Sequence, residues 1–154
     1  MTERETTRLI AWSNELRSAH TRLREALARA RAGAGGSDPP PGRDLLLYCR
    51  GFCVALDRHH RGEDRALFPA IETAHPEVAP VLRTLSRDHA MIDGLLTALA
   101  GAVDASASPE ELTRHLDGVA AIMENHFAFE ERRLLRVLET LALDADPADV
   151  LGDL

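Results

Sequence analysis

Six side chains that can bind a metal ion stand at positions where a helical protein is expected to carry leucine. They are His20, His59, Glu63, His89, His126 and Glu130. Four of them form two pairs with the pattern His-x-x-x-Glu. Residues four apart lie on one helix face, about 5–6 Å apart at Cβ, so each imidazole and its carboxylate point the same way. Burying such groups costs free energy unless something binds them, and the pattern therefore predicts a metal site.

The composition indicates one helical domain over residues 1–154, with a core of about 3–142 and a short C-terminal appendage over 143–154. A chain of 154 residues is long enough to bury one core. Its hydrophobic content of 45% and charged content of 28% are those of an ordinary soluble protein. Aromatic residues make up only 4%, which disfavours a β-sheet core. Alanine, leucine, arginine and glutamate predominate, and all are good helix formers.

Charge and hydropathy exclude several classes of protein. The net charge of −7 gives no electrostatic basis for binding nucleic acid. No apolar run reaches the roughly 18 residues of a membrane span, and the charged N-terminus does not resemble a signal peptide, so a cytoplasmic location is expected. Cys49 and Cys53 are four residues apart in a chain without a secretion signal. We interpret them as core residues rather than a disulfide, with a redox pair as the alternative.

Helix-breaking residues divide the chain into four long helices. The stretch Gly33 to Gly42 is rich in glycine and proline and predicts a loop. The His75-Pro76 step predicts a second break, because the residue before proline avoids the α conformation. A third break precedes Pro109, where Ser108 is a candidate N-cap. The helices are predicted near 3–32, 43–73, 77–104 and 109–142.

Each predicted helix carries an apolar seam, a row of apolar residues at steps of three and four, and each candidate ligand falls on one. The polar positions lie near the middle of each seam. Because short loops favour antiparallel neighbours, these midpoints are expected to meet at one level. The distances along the chain also repeat, with 39 residues from His20 to His59 and 37 from His89 to His126. The sequence therefore predicts an all-α, antiparallel up-down four-helix bundle with a pseudo-two-fold metal site.

The donor set indicates which metals would suit this site. A carboxylate has two oxygens and can bridge two ions, while each imidazole binds one. Mixed imidazole and carboxylate ligands suit iron, zinc or manganese, and the absence of thiolates argues against a structural zinc site. Helix-bundle cores are an established location for carboxylate-bridged di-iron centres.

The order of these residues on four helices resembles that of the hemerythrin-like (HHE cation-binding) domains. The stretches HHRGEDRALFPAI and NHFAFEERRLL are similar to the second- and fourth-helix motifs of that family, and the resemblance covers about residues 10–140. It implies two iron ions joined by an oxo or hydroxo bridge, with zinc or manganese less favoured. By resemblance His20 and His59 would hold one iron and His89 and His126 the other. Glu63 and Glu130 would bridge the two.

The sequence departs from the oxygen-carrying hemerythrins at two positions. Leu85 stands where those proteins have a fifth histidine, and Glu130 lies four rather than five residues after its histidine, in place of an aspartate. Fewer protein ligands leave open metal positions, which favour reaction over reversible carriage. We therefore expect a non-heme di-iron protein that binds, senses or turns over dioxygen, hydrogen peroxide or nitric oxide. Its partner would be that small ligand, and the chain would be a monomer or weak homodimer.

Two alternatives stay open from the residues alone. One is a non-catalytic iron-binding sensor, storage protein or interaction module, which would bind its ligand without turnover. The other is a metal-free bundle in which the six residues form a polar network. Three nearby positions carry their own expectations. His60 and Asp64 lie off the seam and are interpreted as solvated or as supporting a ligand from outside, and Gly62 would give room to a small ligand or a close helix.

Overall fold

The computed structural model describes residues 10–35 and 43–152, which are almost entirely helical. Its α-helices are α1 Trp12–Gly35, α2 Arg43–Gly62, α3 Phe68–Ala74, α4 Ala79–Asp104, α5 Pro109–Leu138 and α6 Pro147–Leu151. A π-helical turn, Glu63–Leu67, joins α2 to α3, and a 3-10 turn, Pro76–Val78, precedes α4. No strand occurs among the described residues, and the predicted all-α class is confirmed.

The helix ends follow the predicted breaks with several differences. Ser108 caps α5, and its hydroxyl accepts a hydrogen bond from the Glu111 amide at 3.3 Å. Helix α1 runs on to Gly35, so the prediction of a loop beginning at Gly33 was wrong for the first three residues. Glycine inside a helix costs only about 1 kcal/mol, which does not stop it. Residues 3–9 and 36–42 lie outside the described part of the chain.

The two ends of the bundle core differ from the predicted helix limits. Residues 10 and 11 precede α1, which starts at Trp12, and α5 stops at Leu138 rather than at 142. The chain turns after Leu138, and Leu141 packs back into the core. The Trp12 indole N–H donates a hydrogen bond of 3.1 Å to the Leu143 carbonyl, which ties this turn to the start of α1.

The four long helical segments form an antiparallel up-down bundle. Helix α1 packs against α2 and α5, and α4 packs against the same two helices. Helices α1 and α4 therefore occupy opposite corners, as do α2 and α5. Each of the four contributes one stretch of its seam to the same central level.

The buried apolar residues form two clusters, one on each side of that level. The Trp12 cluster includes Leu16, Leu67, Leu85 and Leu134, and the Phe52 cluster includes Leu23, Leu56, Ile92 and Met123. Helices α1 and α4 pass from the Trp12 cluster to the Phe52 cluster, whereas α2 and α5 pass the other way. This alternation is what an up-down bundle requires, and each of the four long helical segments crosses the polar level once.

The π-helical turn interrupts the second long helix where it leaves the polar level. The Phe68 amide donates to the Glu63 carbonyl, which is the five-residue spacing of a π-helix. Pro69 follows immediately and has no amide hydrogen to donate to the preceding turn. The helical path continues to Ala74, and Leu67, Phe68 and Ile71 point into the core.

The segment after α5 is short, as expected, but it packs against the bundle instead of extending from it. Val150 and Leu151 on α6 are only 2% and 3% exposed and belong to the Trp12 cluster. The backbone of α6 lies directly on α2, because a Cβ atom added to Gly62 would overlap the Val150 carbonyl. The interpretation of Gly62 as room for a close helix is therefore confirmed.

Cys49 and Cys53 occupy the core as predicted. Cys49 is completely buried, Cys53 packs against the Phe52 cluster, and both thiols are free. Burial, with a smaller effect of Cys49, raises the pKa of the Cys53 thiol to about 11. Without a bound metal, the thiols therefore stay protonated near pH 7. No helix in the described ranges 10–35 and 43–152 has the length and apolar character to cross a membrane.

Candidate metal centre

All six candidate ligands lie in one buried layer between the two apolar clusters. None has more than 4% of its surface exposed: His20 0%, His59 0%, Glu63 0%, His89 4%, His126 2% and Glu130 0%. The prediction that the seam midpoints meet at one level is confirmed by these positions. We call these six residues the ligand layer.

The Nε2 atoms of the four histidines point inward, toward the two glutamates. Glu130 Oε1 lies 3.3 Å from His20 Nε2, and Glu130 Oε2 lies 3.3 Å from His126 Nε2. Glu63 Oε1 lies 3.4 Å from His59 Nε2 and 3.3 Å from His89 Nε2. Each glutamate thus contacts one histidine from each half of the chain.

The Nδ1 atoms point outward and are held by oxygen atoms. His59 Nδ1 lies 2.8 Å from the Leu151 carbonyl, which can only accept, so this nitrogen carries the hydrogen. His89 Nδ1 lies 2.9 Å from Asp64 Oδ1.

The other two histidines follow the same arrangement. His126 Nδ1 lies 3.2 Å from Asp88 Oδ2, and His20 Nδ1 contacts Glu131 Oε1 at 3.4 Å. Metal-binding histidines usually donate the outer N–H in this way, which fixes the ring and leaves the Nε2 lone pair for the ion. All four rings have that orientation.

The centre of the layer holds buried polar atoms that make no hydrogen bond. Both carboxylate oxygens of Glu63 and of Glu130 are buried without a hydrogen bond, and so is His59 Nε2. His89 Nε2 and His126 Nε2 face each other at 3.1 Å. With both Nδ1 atoms donating outward, two lone pairs meet there. Buried polar groups are normally satisfied, so this arrangement fits a bound cation.

Several residues of the layer have pKa values far from their usual range. Burial, together with the charge of Glu130, raises the pKa of Glu63 well above its ordinary range. Burial opposes ionisation of Glu130 as well, but Glu63, His126 and His20 lower its pKa well below normal. Burial and the neighbouring His20 lower the pKa of His59 to about 3, so His59 is a neutral imidazole near pH 7. Neutral imidazole is the form that binds metals.

Two groups of side chains, drawn from the ligand layer and the adjoining His60, have the spacing of metal sites. His20, His59, Glu63 and Glu130 form one group, and His60, Glu63, His89 and His126 form the other. In each group one nitrogen or oxygen atom per residue lies within 4.8 Å of all the others. Bonds of about 2.0–2.2 Å to one ion allow two ligands to stand up to roughly 4.4 Å apart. Small adjustments therefore suffice to bind an ion, and Glu63 belongs to both groups.

For His60, the first of the two sequence interpretations, a solvated side chain, was wrong. It was expected to be solvated or to support a ligand, yet it is only 5% exposed and its ring stacks on His89 with centroids 3.9 Å apart. Asp64, half-exposed on the same turn, contacts His89, a candidate ligand, as one of its two interpretations predicted. The adjacent histidines HH in the sequence were the available signal. The helical seam assigned only the first of them to the interior.

The surroundings of the layer are closed on one side and open on the other. Phe127 stacks on His20 with ring centroids 3.8 Å apart, and α6 covers His59. On the opposite side a surface cleft of about 210 Å³ reaches His60 and His89. Asp57, Asp64, Ser86 and Asp93 are among the polar residues that line it.

A four-helix bundle with a buried layer of histidine and glutamate defines a cation-binding helical protein. The family model described as the hemerythrin HHE cation binding domain matches residues 13–138. The chain belongs to this family, and the resemblance inferred from its motifs is confirmed. A comparison with curated proteins and another with solved structures gave no match.

Proposed function

We propose that this protein binds two iron ions in a carboxylate-bridged centre, where it binds, senses or turns over dioxygen, hydrogen peroxide or nitric oxide. One observation carries the proposal. Each histidine of the ligand layer has its outer nitrogen against an oxygen atom and its inner nitrogen against a shared glutamate. A layer built only for packing would not need four rings with the same orientation.

The two glutamates are suited to bridge two ions. Glu130 offers Oε1 to the His20 side and Oε2 to the His126 side, at 3.3 Å each. Glu63 lies within 3.4 Å of both His59 and His89. His20 and His59 would hold one ion and His89 and His126 the other. Nitrogen and carboxylate donors in a helix bundle suit iron, with zinc or manganese less favoured. The thiols of Cys49 and Cys53, which burial keeps protonated, lie outside both groups of candidate ligands.

The surroundings support a small ligand. Iron at such a centre supplies redox chemistry and open positions for small oxidants or nitric oxide. The chain itself holds the His59 imidazole neutral, shields His20 with Phe127 and leaves a polar cleft beside His89. A cleft of about 210 Å³ admits a molecule of the size of peroxide, whereas a drug-sized ligand needs about 300 Å³ or more.

Metal analysis tests the centre directly. Protein reconstituted with Fe(II) under anaerobic conditions should contain two irons per chain, and His59→Ala and His126→Ala should each lower that number. His75→Ala is the matched control, since His75 lies outside the layer and contacts Glu77. A wild-type protein that binds no iron in the reconstitution contradicts the proposal.

A second measurement separates reaction from sensing. Peroxide is added to the iron-loaded protein, and its consumption is followed in proportion to bound iron. Consumption over many equivalents indicates turnover, whereas a spectral change that stops at one equivalent indicates a sensor. The same titrations with nitric oxide and with dioxygen identify the preferred ligand. No spectral change with any of the three ligands contradicts this part of the proposal.

A further inference from the structure

His60 lies next to a candidate ligand in the sequence but faces the other half of the site. Adjacent residues on an α-helix point about 100° apart. His59 therefore turns toward His20, with ring centroids 5.2 Å apart, while His60 turns toward His89 and His126. The two neighbours on α2 thus serve different groups of the layer.

The ring of His60 is buried without a polar partner on its inner nitrogen. The side chain is 5% exposed, and its Nε2 makes no hydrogen bond. A buried imidazole nitrogen without a partner costs free energy, which a metal bond would offset. Its ligand atom also lies within 4.8 Å of those of Glu63, His89 and His126.

Three rings surround one point at this side of the layer. The centroids of His60 and His89 are 3.9 Å apart, those of His60 and His126 are 5.1 Å apart, and those of His89 and His126 are 4.8 Å apart. Three imidazoles bound at right angles to one ion, through bonds of about 2.1 Å, have ring centres roughly 4.5 Å apart. The observed triangle is close to that size, and binding one ion would require the His60 ring to turn out of its stack on His89, where the two planes are 12° apart.

We infer that His60 is a fifth histidine ligand, which binds the ion held by His89 and His126. This inference rests on the proposed metal centre. Helix α4 supplies His89 but no second histidine one turn earlier. That position is Leu85, which is completely buried in the Trp12 cluster. Helix α2 supplies the additional imidazole instead. The two ions then have unequal protein ligands, three histidines on one and two on the other.

The number of metal-bound histidines in the wild-type protein tests the inference without a variant. In Fe(II)-loaded protein labelled with ¹⁵N-histidine, each ligand ring gives an exchangeable N–H resonance with a large paramagnetic shift. We expect five such rings. Four rings, with His60 unshifted, would overturn the assignment and leave the two-iron centre intact.

His60→Gln tests the energetic contribution, with His75→Gln as the matched control. We expect His60→Gln to lose one shifted ring and to bind the second equivalent of Fe(II) at least about 10-fold more weakly. His75→Gln should keep five rings and wild-type affinity. Two irons bound by His60→Gln with unchanged affinity would show that His60 only stacks on His89. If circular dichroism shows that the variant does not fold, the number of shifted rings in the wild-type protein decides whether His60 is a ligand. A wild-type protein that binds no iron overturns both this inference and the proposed function.

Discussion

His59 donates a hydrogen bond from Nδ1 to the backbone carbonyl of Leu151 at 2.8 Å, across 92 residues of sequence. The donor is a candidate metal ligand, and the acceptor belongs to the last helix of the described chain. The orientation of that ligand is therefore set by a short segment outside the four-helix bundle. Val150 and Leu151 hold the segment in place through their burial in the Trp12 cluster.

Removing α6 should weaken metal binding without removing any ligand. A chain that ends at Ala145 loses the carbonyl that orients His59, and loss of such a partner costs about 10–100-fold in metal affinity. The measurement is a competition titration of Fe(II) against a chelator. A chain that ends at Gly152 keeps the hydrogen bond and is the control. Equal affinity of both truncated chains would show that the contact with His59 is incidental.

Gly62→Ala should displace the same segment by a different route. The added methyl group would overlap the Val150 carbonyl, which is backbone and has no rotamer to move away. We expect a lower free energy of unfolding and weaker iron binding. Gly94→Ala is the control, because nothing lies within 4 Å of the added Cβ and alanine favours a helix by about 1 kcal/mol. Urea denaturation of both variants should give changes of opposite sign, and destabilisation by both would contradict the explanation.

Asp64→Asn should lower metal affinity through His89. Asp64 Oδ1 accepts from His89 Nδ1 at 2.9 Å and from the Ser86 hydroxyl at 2.8 Å. The neutral amide is a weaker acceptor and a weaker support for the imidazole, so we expect about a 10-fold loss of affinity. Asp93→Asn is the matched control, since Asp93 lines the same cleft but is not in contact with a candidate ligand in the described structure. A similar loss in both variants would indicate a general effect of cleft charge.

Glu63→Gln should leave the stability of the metal-free protein unchanged or higher but reduce the additional stability that metal binding gives. Both Glu63 oxygens are buried without a hydrogen bond, so a neutral amide of the same shape should leave the metal-free protein at least as stable as wild type. Wild type should gain about 2.7 kcal/mol when free metal reaches 100 times its Kd, and the variant should gain little. Thermal denaturation with and without Fe(II) measures both effects. Glu72→Gln, on the exposed side of α3, should behave as wild type.

Much of the fold and site is visible in the sequence because both depend on local periodicity. Steps of three and four along single helices place His20, His89 and Glu130 on apolar seams. All three are buried in the structure, as this pattern predicts. Proline at Pro109 and the serine before it marked a helix start that the structure confirms. These features need no knowledge of tertiary contacts.

The features that sequence reasoning missed depend on contacts between distant segments. His60 lies one position off the seam and becomes internal only because α2 and α4 pack together around His89. The π-helical turn at Glu63 has no signature in the hydrophobic pattern. Helix α6 is a five-residue element in an acidic tail, and two buried apolar residues and the hydrogen bond from His59 to the Leu151 carbonyl hold it on the bundle.

The division of the interior into two apolar clusters bears on how cooperatively the protein unfolds. The Trp12 cluster and the Phe52 cluster are separated by the ligand layer, whose glutamate oxygens make no hydrogen bond among the described residues. Without metal, the long helical segments that cross the layer connect the two halves, and each half is small for an independent core. Bound metal would cross-link all four segments between the clusters, so that the two halves open together as a single unit. The cation would then make unfolding of the whole bundle more cooperative.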